Sequence, residues 1–294
     1  MFDDTLIEHY RTYLTEERKS PVNTIKAYMH DLTRFTEFLT ENDKAGFSDV
    51  TEDDVQAFIS HLTDIGLSTA TISRCIASLK TFHNRMFAQG LLQSDPTTDI
   101  AAVRAKKTPP LILSGGEIER LLEQPDIRDV KGSRDRAMLE TLYATGIRVS
   151  ELIALDESDV NLATGLIACR NGKDRIIPIY DAAVKAISHY MAFGRPKMAV
   201  KGEKALFVNI GGGRMSRQGC WKILKGYAVD ARIKIDMTPQ ILRNSFAAHL
   251  LENGADLQSL QEMLGHADIS STQVYAKAVN KKIKDIYYKS HPKA

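Results

Sequence analysis

The chain has 294 residues, 43% hydrophobic and 26% charged, a composition of ordinary globular proteins and a length that suits two domains. Its net charge of +2 is unevenly spread: residues 1–107 hold 12 Lys and Arg against 16 Asp and Glu, and the remainder holds 27 against 21. No run reaches the ~18 apolar residues of a membrane span. The acidic start MFDDTLIEHYRTYL lacks the apolar core of a signal peptide, and three scattered cysteines (Cys75, Cys169, Cys220) fit reduced thiols better than a disulfide framework or metal site. A cytoplasmic location is therefore expected, and the basic second part weakly favours a polyanionic partner.

Taken in order, the elements begin with an amphipathic stretch near 4–17. Ile25, Tyr28, Leu32, Phe35, Phe38 and Leu39 then recur at helical spacing. A third helix starts at the cap residue Thr51, with acids in its first turn, and stops at Gly66. A fourth runs from Ser68 to Gly90. The expectation is an all-helical N-terminal domain over 1–103. The segment 104–112 carries basic RAKK and then Pro109 and Pro110, which forbid helix, and reads as an interdomain linker.

Residues 113–294 read as a mixed α/β domain, so that the whole is mainly α with a small β-sheet. SGGEIERLLEQ and SRDRAMLETLYATG are helical, the second closed by Gly146. GLIACRNGKDRIIPIY places Asn171-Gly172 between two apolar runs, a hairpin signal, and EKALFVNI reads as a third strand. Further helices are expected at roughly 181–193, 216–230, 238–253, 256–264 and 280–289.

Six side chains in this basic part invite a chemical reading. Arg148 in TGIRVSEL lies where a helix restarts after Gly146, a place to meet an anion. Lys173 follows the hairpin glycine. In MTPQILRNSFAAHLLENG, Thr238 caps a helix with Pro239 at its first position, and Gln240 and Arg243 share one face near that end. In LGHADISSTQVY, His266 follows Gly265, and Tyr275 rides on a short polar segment that can move without disrupting a core. Each has a plainer reading: a solvated cation, a surface histidine, a core tyrosine. Together they are the parts of phosphoryl transfer, which needs a nucleophile and cations on the phosphate oxygens.

The stretches ATGIRVSEL, GKDRIIP, TPQILRNSFAAHLLENGADLQSLQEMLGHADISSTQVYAKA and LSGGEIERLL resemble the tyrosine recombinase family, most closely its Xer type. The helical first hundred residues resemble that family's core-binding DNA clamp. The resemblance implies that Tyr275 attacks a DNA phosphodiester to form a 3′-phosphotyrosyl bond. Arg148 and Arg243 would hold the non-bridging oxygens, Lys173 would protonate the leaving 5′-oxygen, and His266 would hydrogen-bond the phosphate. No cofactor is needed, because the ester conserves the bond energy. Four protomers, as a homotetramer or a heterotetramer with a paralogue, would exchange strands between two double-stranded DNA sites through a Holliday junction. The tail beyond Tyr275 would dock on a neighbour.

Two stretches depart from the family's pattern, QILRN and the hairpin. Gln240 occupies a position where the family usually has His, and Asn244 one where it often has His. Glutamine donates a hydrogen bond but carries no proton, so a slower enzyme is expected. The family's longer hairpin motif is shortened to GKDR, leaving Lys173 as the best match and Arg175, a poor proton donor, as the substitute. Arg74, Lys80 and Arg85 in the N-terminal domain, with Arg217, Gln218 and Lys222 in SRQGCWKILKGYA, are candidates for DNA contact. Each is equally readable as part of a solvated helix face. Chromosome-dimer resolution is the expected role. A mobile-element integrase or resolvase, a DNA-binding paralogue weakened by Gln240, and a relaxing topoisomerase are the alternatives.

Overall fold

The computed structural model describes residues 4–101, 103, 109–171, 173–265 and 272. The chain divides into two compact units, Met1–Lys107 and Thr108–Ala294.

The regular elements among the described residues of the first unit are helices, chiefly α1 (Asp4–Thr12), α2 (Val22–Glu41), α3 (Glu52–Asp64) and α4 (Thr69–Ala88). Local chemistry sets the starts. Thr51 accepts from the Asp54 amide, and Asp54 returns a bond from the Thr51 amide at 2.8 Å, a closed capping box that satisfies two orphan donors. The Ser68 hydroxyl accepts from the Thr71 amide. Helix α4 packs on the other three and contributes Ile72, Ile76, Leu79, Phe82 and Met86 to a core shared with Leu32, Phe35, Phe58 and Leu62.

His83 lies within this core, fully buried among Phe35, Phe47 and Phe82. Its Nδ1 bonds the Leu79 carbonyl at 3.0 Å, which assigns the neutral ring a proton on that nitrogen. Burial pushes its pKa down from 6.5 to about 4, only partly opposed by the Leu79 bond.

The second unit contains α5 (Gly115–Glu123), α6 (Val130–Thr145), α7 (Val149–Leu152), β1 (Val160–Asn161), β2 (Leu166–Cys169), β3 (Arg175–Pro178), α8 (Asp181–His189), α9 (Arg195–Met198), α10 (Arg217–Asp230), α11 (Pro239–Glu252) and α12 (Leu257–Leu264). The three strands form one antiparallel sheet in the order β1-β2-β3. Helices α6 and α11 pack together, and Ile241 to Ala248 of α11 are buried without a break, so the apolar stripe visible in the sequence understates how central this helix is.

Two expectations are corrected. EKALFVNI is not a strand of the sheet; the third strand is Val160–Asn161, and 203–210 makes only the single bridges Asp156↔Ala205 and Val208↔Arg214. The reason is that arginines occupy the places a neighbouring strand would fill. Arg195 donates to the carbonyls of Glu203 and Ala205, and Arg134 donates to that of Val208. The hairpin turn is also not the two residues Asn171-Gly172. Cys169 pairs with Arg175, leaving a five-residue loop, 170–174. A two-residue turn would shift the register by one, turning Ile177 outward and the exposed Ile176 inward.

The unfolded His83 ring takes up a proton near pH 6.5 and the folded ring only near pH 4, so the first unit loses stability as pH falls through that window. Between pH 7 and pH 5 the loss should be about 2 kcal/mol, at roughly 1.4 kcal/mol per pH unit. Hydrogen exchange of the α4 amides measures it, and His83→Phe should remove most of the dependence.

Candidate active site

Helix α6 ends because Gly146 takes a left-handed conformation, φ +59°, with its amide on the Leu142 carbonyl. A side chain there would meet the Phe246 ring at 2.3 Å. The chain turns through buried Ile147 and restarts as α7 with Arg148 at its cap position.

Three residues on, Glu151 is buried and satisfies the Arg148 amide at 2.7 Å. It also receives both terminal nitrogens of Arg175 at 2.8 and 3.1 Å, while Arg175 Nε donates to the Met263 carbonyl at 2.7 Å. One carboxylate thus ties α7 to β3, and one guanidinium ties β3 to the last turn of α12. Burial would raise the Glu151 pKa, but the Arg175 hydrogen bonds and the Arg148 amide outweigh it and hold the carboxyl below its ordinary value. The Arg148 guanidinium stays half exposed, 3.7 Å from Glu151.

Arg243 projects from the first turns of α11 and is nearly sealed, 3% exposed. Its Nη1 donates to the Gly146 carbonyl at 2.5 Å and its Nη2 to the Leu264 carbonyl at 2.8 Å. Thr238 occupies the cap position of α11, but its side chain makes no capping bond, contrary to the sequence reading; Pro239 follows at the first helical position and needs none. Gln240 is exposed at this end.

Arg148, Gln240 and Arg243 line one cleft of about 270 Å³. Arg217, read from the sequence only as a DNA contact, lines it too. It is exposed at the start of α10, where Ser216 supplies the cap by accepting from the Gly219 amide. Three guanidinium groups, with no carboxylate among the lining residues, make the cleft a receptor for an anion with several oxygens. Lys173 is not among its lining; it sits exposed in the loop 170–174. His266 and Tyr275 lie outside the described residues, as does the expected helix at 280–289. Gly265, just before His266, is left-handed at φ +64°, and a side chain there would strike the Arg175 guanidinium.

The remaining candidates divide by environment. Arg74 is paired with the fully buried Asp31, and Arg85 with Glu17 while lying over the Tyr13 ring. Lys80 reaches the Thr98 carbonyl and lines a polar groove of about 560 Å³ with Arg18, Asn84 and Thr97. Gln218 and Lys222 are exposed on α10. Among the described residues no helix is long and apolar enough to cross a membrane.

Sequence reasoning overlooked Glu151 and the placement of Arg217. An acid three residues after a helix restart is the available signal for the first. The second had none, since α10 and α11 meet only in space.

Comparison with known proteins places this geometry. Residues 112–282 match the Phage integrase family, and residues 7–90 match the N-terminal SAM-like domain of phage integrases. The chain is 44% identical over 293 residues to the tyrosine recombinase XerD of Oceanobacillus iheyensis, covering 98% of each. It is 40% identical over 294 residues to the tyrosine recombinase XerD of Staphylococcus epidermidis, covering 99% of this chain and 100% of that one. Among solved structures, the XerA recombinase matches with TM-score 0.56 at 27% identity over 98% of both chains. The XerH recombinase bound to palindromic difH substrate matches with TM-score 0.76 over 91% of this chain and 80% of that one; at 22% identity this bears on the fold alone. The chain belongs to the phage integrase family, as a tyrosine recombinase of the Xer type. The resemblance read from its motifs therefore holds, as does the mainly helical fold with a small sheet.

Glu151→Ala should cost about 3–5 kcal/mol, the penalty of leaving a buried guanidinium unpaired. Because the folded pKa of Glu151 is depressed, its contribution is complete at neutral pH and is lost as pH falls below the ordinary carboxylate value. Urea unfolding at pH 7 checks the cost. The double variant Glu151→Leu/Arg175→Met should recover part of it, and single-variant losses under about 1 kcal/mol would contradict the pairing.

Proposed function

We propose that the chain is a site-specific recombinase that breaks and rejoins double-stranded DNA, with the arginine cleft holding the scissile phosphate. The observation that carries this reading is the convergence of Arg148, Arg243, Arg217 and Gln240 on one cleft, in a chain similar to tyrosine recombinases along its length.

In this mechanism Arg148 and Arg243 neutralise the non-bridging oxygens. The Tyr275 phenolic oxygen gives up its proton to solvent and attacks phosphorus, the bond to the 5′-oxygen breaks, and a 3′-phosphotyrosyl ester forms. Lys173 gives its proton to the leaving oxygen. His266 and Gln240 donate hydrogen bonds to the phosphate. A 5′-hydroxyl from the partner duplex then attacks the same phosphorus and releases Tyr275, so bond energy is conserved without a cofactor. The roles of Tyr275 and His266 rest on the sequence motif. Lys173 is supported over Arg175 because Arg175 is committed to Glu151 and Met263, whereas the Lys173 side chain has no hydrogen bond to a described residue.

The segment 1–103 would clamp the duplex, joined by the linker 104–112 to a catalytic domain, 113–294, whose tail docks on a neighbouring protomer. Lys80, Arg217, Gln218 and Lys222 are the better-placed contacts, since Arg74 and Arg85 are held by internal carboxylates. Four protomers, of one kind or two, would process two sites through a Holliday junction. Its biological role is read as cytoplasmic resolution of chromosome dimers, and hence chromosome partition at cell division, a reading that rests on the Xer-type resemblance of its motifs. A second reading, a paralogue that binds DNA but cuts it poorly, is favoured by Gln240 alone.

Covalent trapping on a nicked duplex carrying the preferred site separates the two. The parent chain should give an adduct that survives denaturation, and Tyr275→Phe should give none. Specific binding without an adduct, with cleavage restored by Gln240→His, would favour the paralogue.

A further inference from the structure

We propose that Asn244 is a positioning residue for strand cleavage, fixing the Gln240 amide in one orientation at the arginine cleft; this rests on the recombinase reading above. Gln240 Nε2 donates to Asn244 Oδ1 at 2.9 Å, and Asn244 Nδ2 donates to the Leu111 carbonyl at 3.3 Å. The oxygen and nitrogen of an amide have nearly the same shape, so the hydrogen-bond network decides which points where. A backbone carbonyl only accepts. The Asn244 atom facing Leu111 is therefore the nitrogen, its oxygen faces Gln240, and the Gln240 atom facing it is again the nitrogen. One carbonyl sets both amides.

The base of this relay is firm. Asn244 is 8% exposed, on the continuously buried part of α11. The next residue, Ser245, repeats the attachment: its hydroxyl accepts from the Leu113 amide at 2.9 Å and donates to the Ile241 carbonyl at 2.8 Å. The segment 111–113 is thus pinned to α11 at two successive positions. Gln240 is one turn before Asn244, exposed, and lines the cleft with Arg148 and Arg243.

The relay decides what Gln240 offers. One N–H is spent on Asn244. The second N–H and the carbonyl oxygen remain for groups in the cleft, in a fixed relation to each other. The N–H is the half that suits a phosphoryl oxygen, and holding it in place removes the cost of ordering a long side chain during cleavage. The amide orients and donates; no proton leaves it. The two residues that depart from the family's usual histidines therefore work as one unit, and Asn244 acts through Gln240.

A double-mutant cycle tests this, with Asn244→Ala, Gln240→Ala and the pair. Two quantities are read: the single-turnover rate of adduct formation, and the affinity ratio for matched duplexes with and without the scissile phosphate. Asn244→Ala should slow cleavage roughly tenfold, the loss of one oriented hydrogen bond to an anion. It should lower the affinity ratio while leaving affinity for the phosphate-lacking duplex unchanged. In the Gln240→Ala background it should do nothing more. An equal effect in both backgrounds, or none in the parent, overturns the proposal. Asn244→Ser repeats the cycle should the alanine lower Tm. A parent chain that forms no adduct would sink the recombinase reading, and the affinity ratio, which needs no cleavage, would still decide the role of Asn244.

Discussion

The candidate active site is arranged around one buried cation, Arg243. Its guanidinium is held by the carbonyls of Gly146 and Leu264, at the C-terminal ends of α6 and α12. Helix ends of this kind carry partial negative charge and orphan acceptors. The arginine satisfies those acceptors, and their partial charges help make its burial tolerable. Both ends exist because a left-handed glycine, Gly146 or Gly265, stops the helix there. The cation that faces the cleft is therefore also the pin that sets where three helices meet. It cannot be removed as a functional group without loosening the framework.

A second guanidinium repeats the logic. Arg175 joins the buried Glu151 to the Met263 carbonyl, and Glu151 satisfies the Arg148 amide. Arg148 can stay half exposed because its backbone, not its side chain, is anchored. The division is economical: Arg175 and Glu151 position, while Arg148, Arg217 and Gln240 remain accessible in the cleft. Electrostatic stabilisation is worth most when donors are already in place before charge develops, and these carbonyl and carboxylate anchors supply that order.

Much of this was legible in the sequence where the signal is local. Thr51, Ser68, Gly146 and Gly265 mark helix ends by cap chemistry that needs no tertiary contact, and the structure places them there. Arg148, Gln240 and Arg243 were singled out from their positions near helix starts, and the cleft brings them together. What was not legible depends on partners far along the chain. The Glu151–Arg175 pair spans 24 residues, and the Leu111–Asn244 bond spans 133. The segment 203–210 has the composition of a strand, but three of its carbonyls are taken by arginine side chains from α6 and α9 and its backbone bonds go to scattered loop positions such as Leu155 and Met215, which no periodicity announces. The hairpin misled for a related reason: the Asn-Gly signal is local, whereas the register answers to which isoleucine the core accepts.

The arginine-capped segment has a further consequence for how this chain behaves among its own copies. Buried consecutive residues such as Leu206, Phe207 and Val208 form a short apolar, β-prone stretch of the kind that nucleates intermolecular strand pairing. Here Arg195 and Arg134 occupy the carbonyls of Glu203, Ala205 and Val208 that an incoming strand would use. The same side chains that complete the fold thus act as gatekeepers against aggregation.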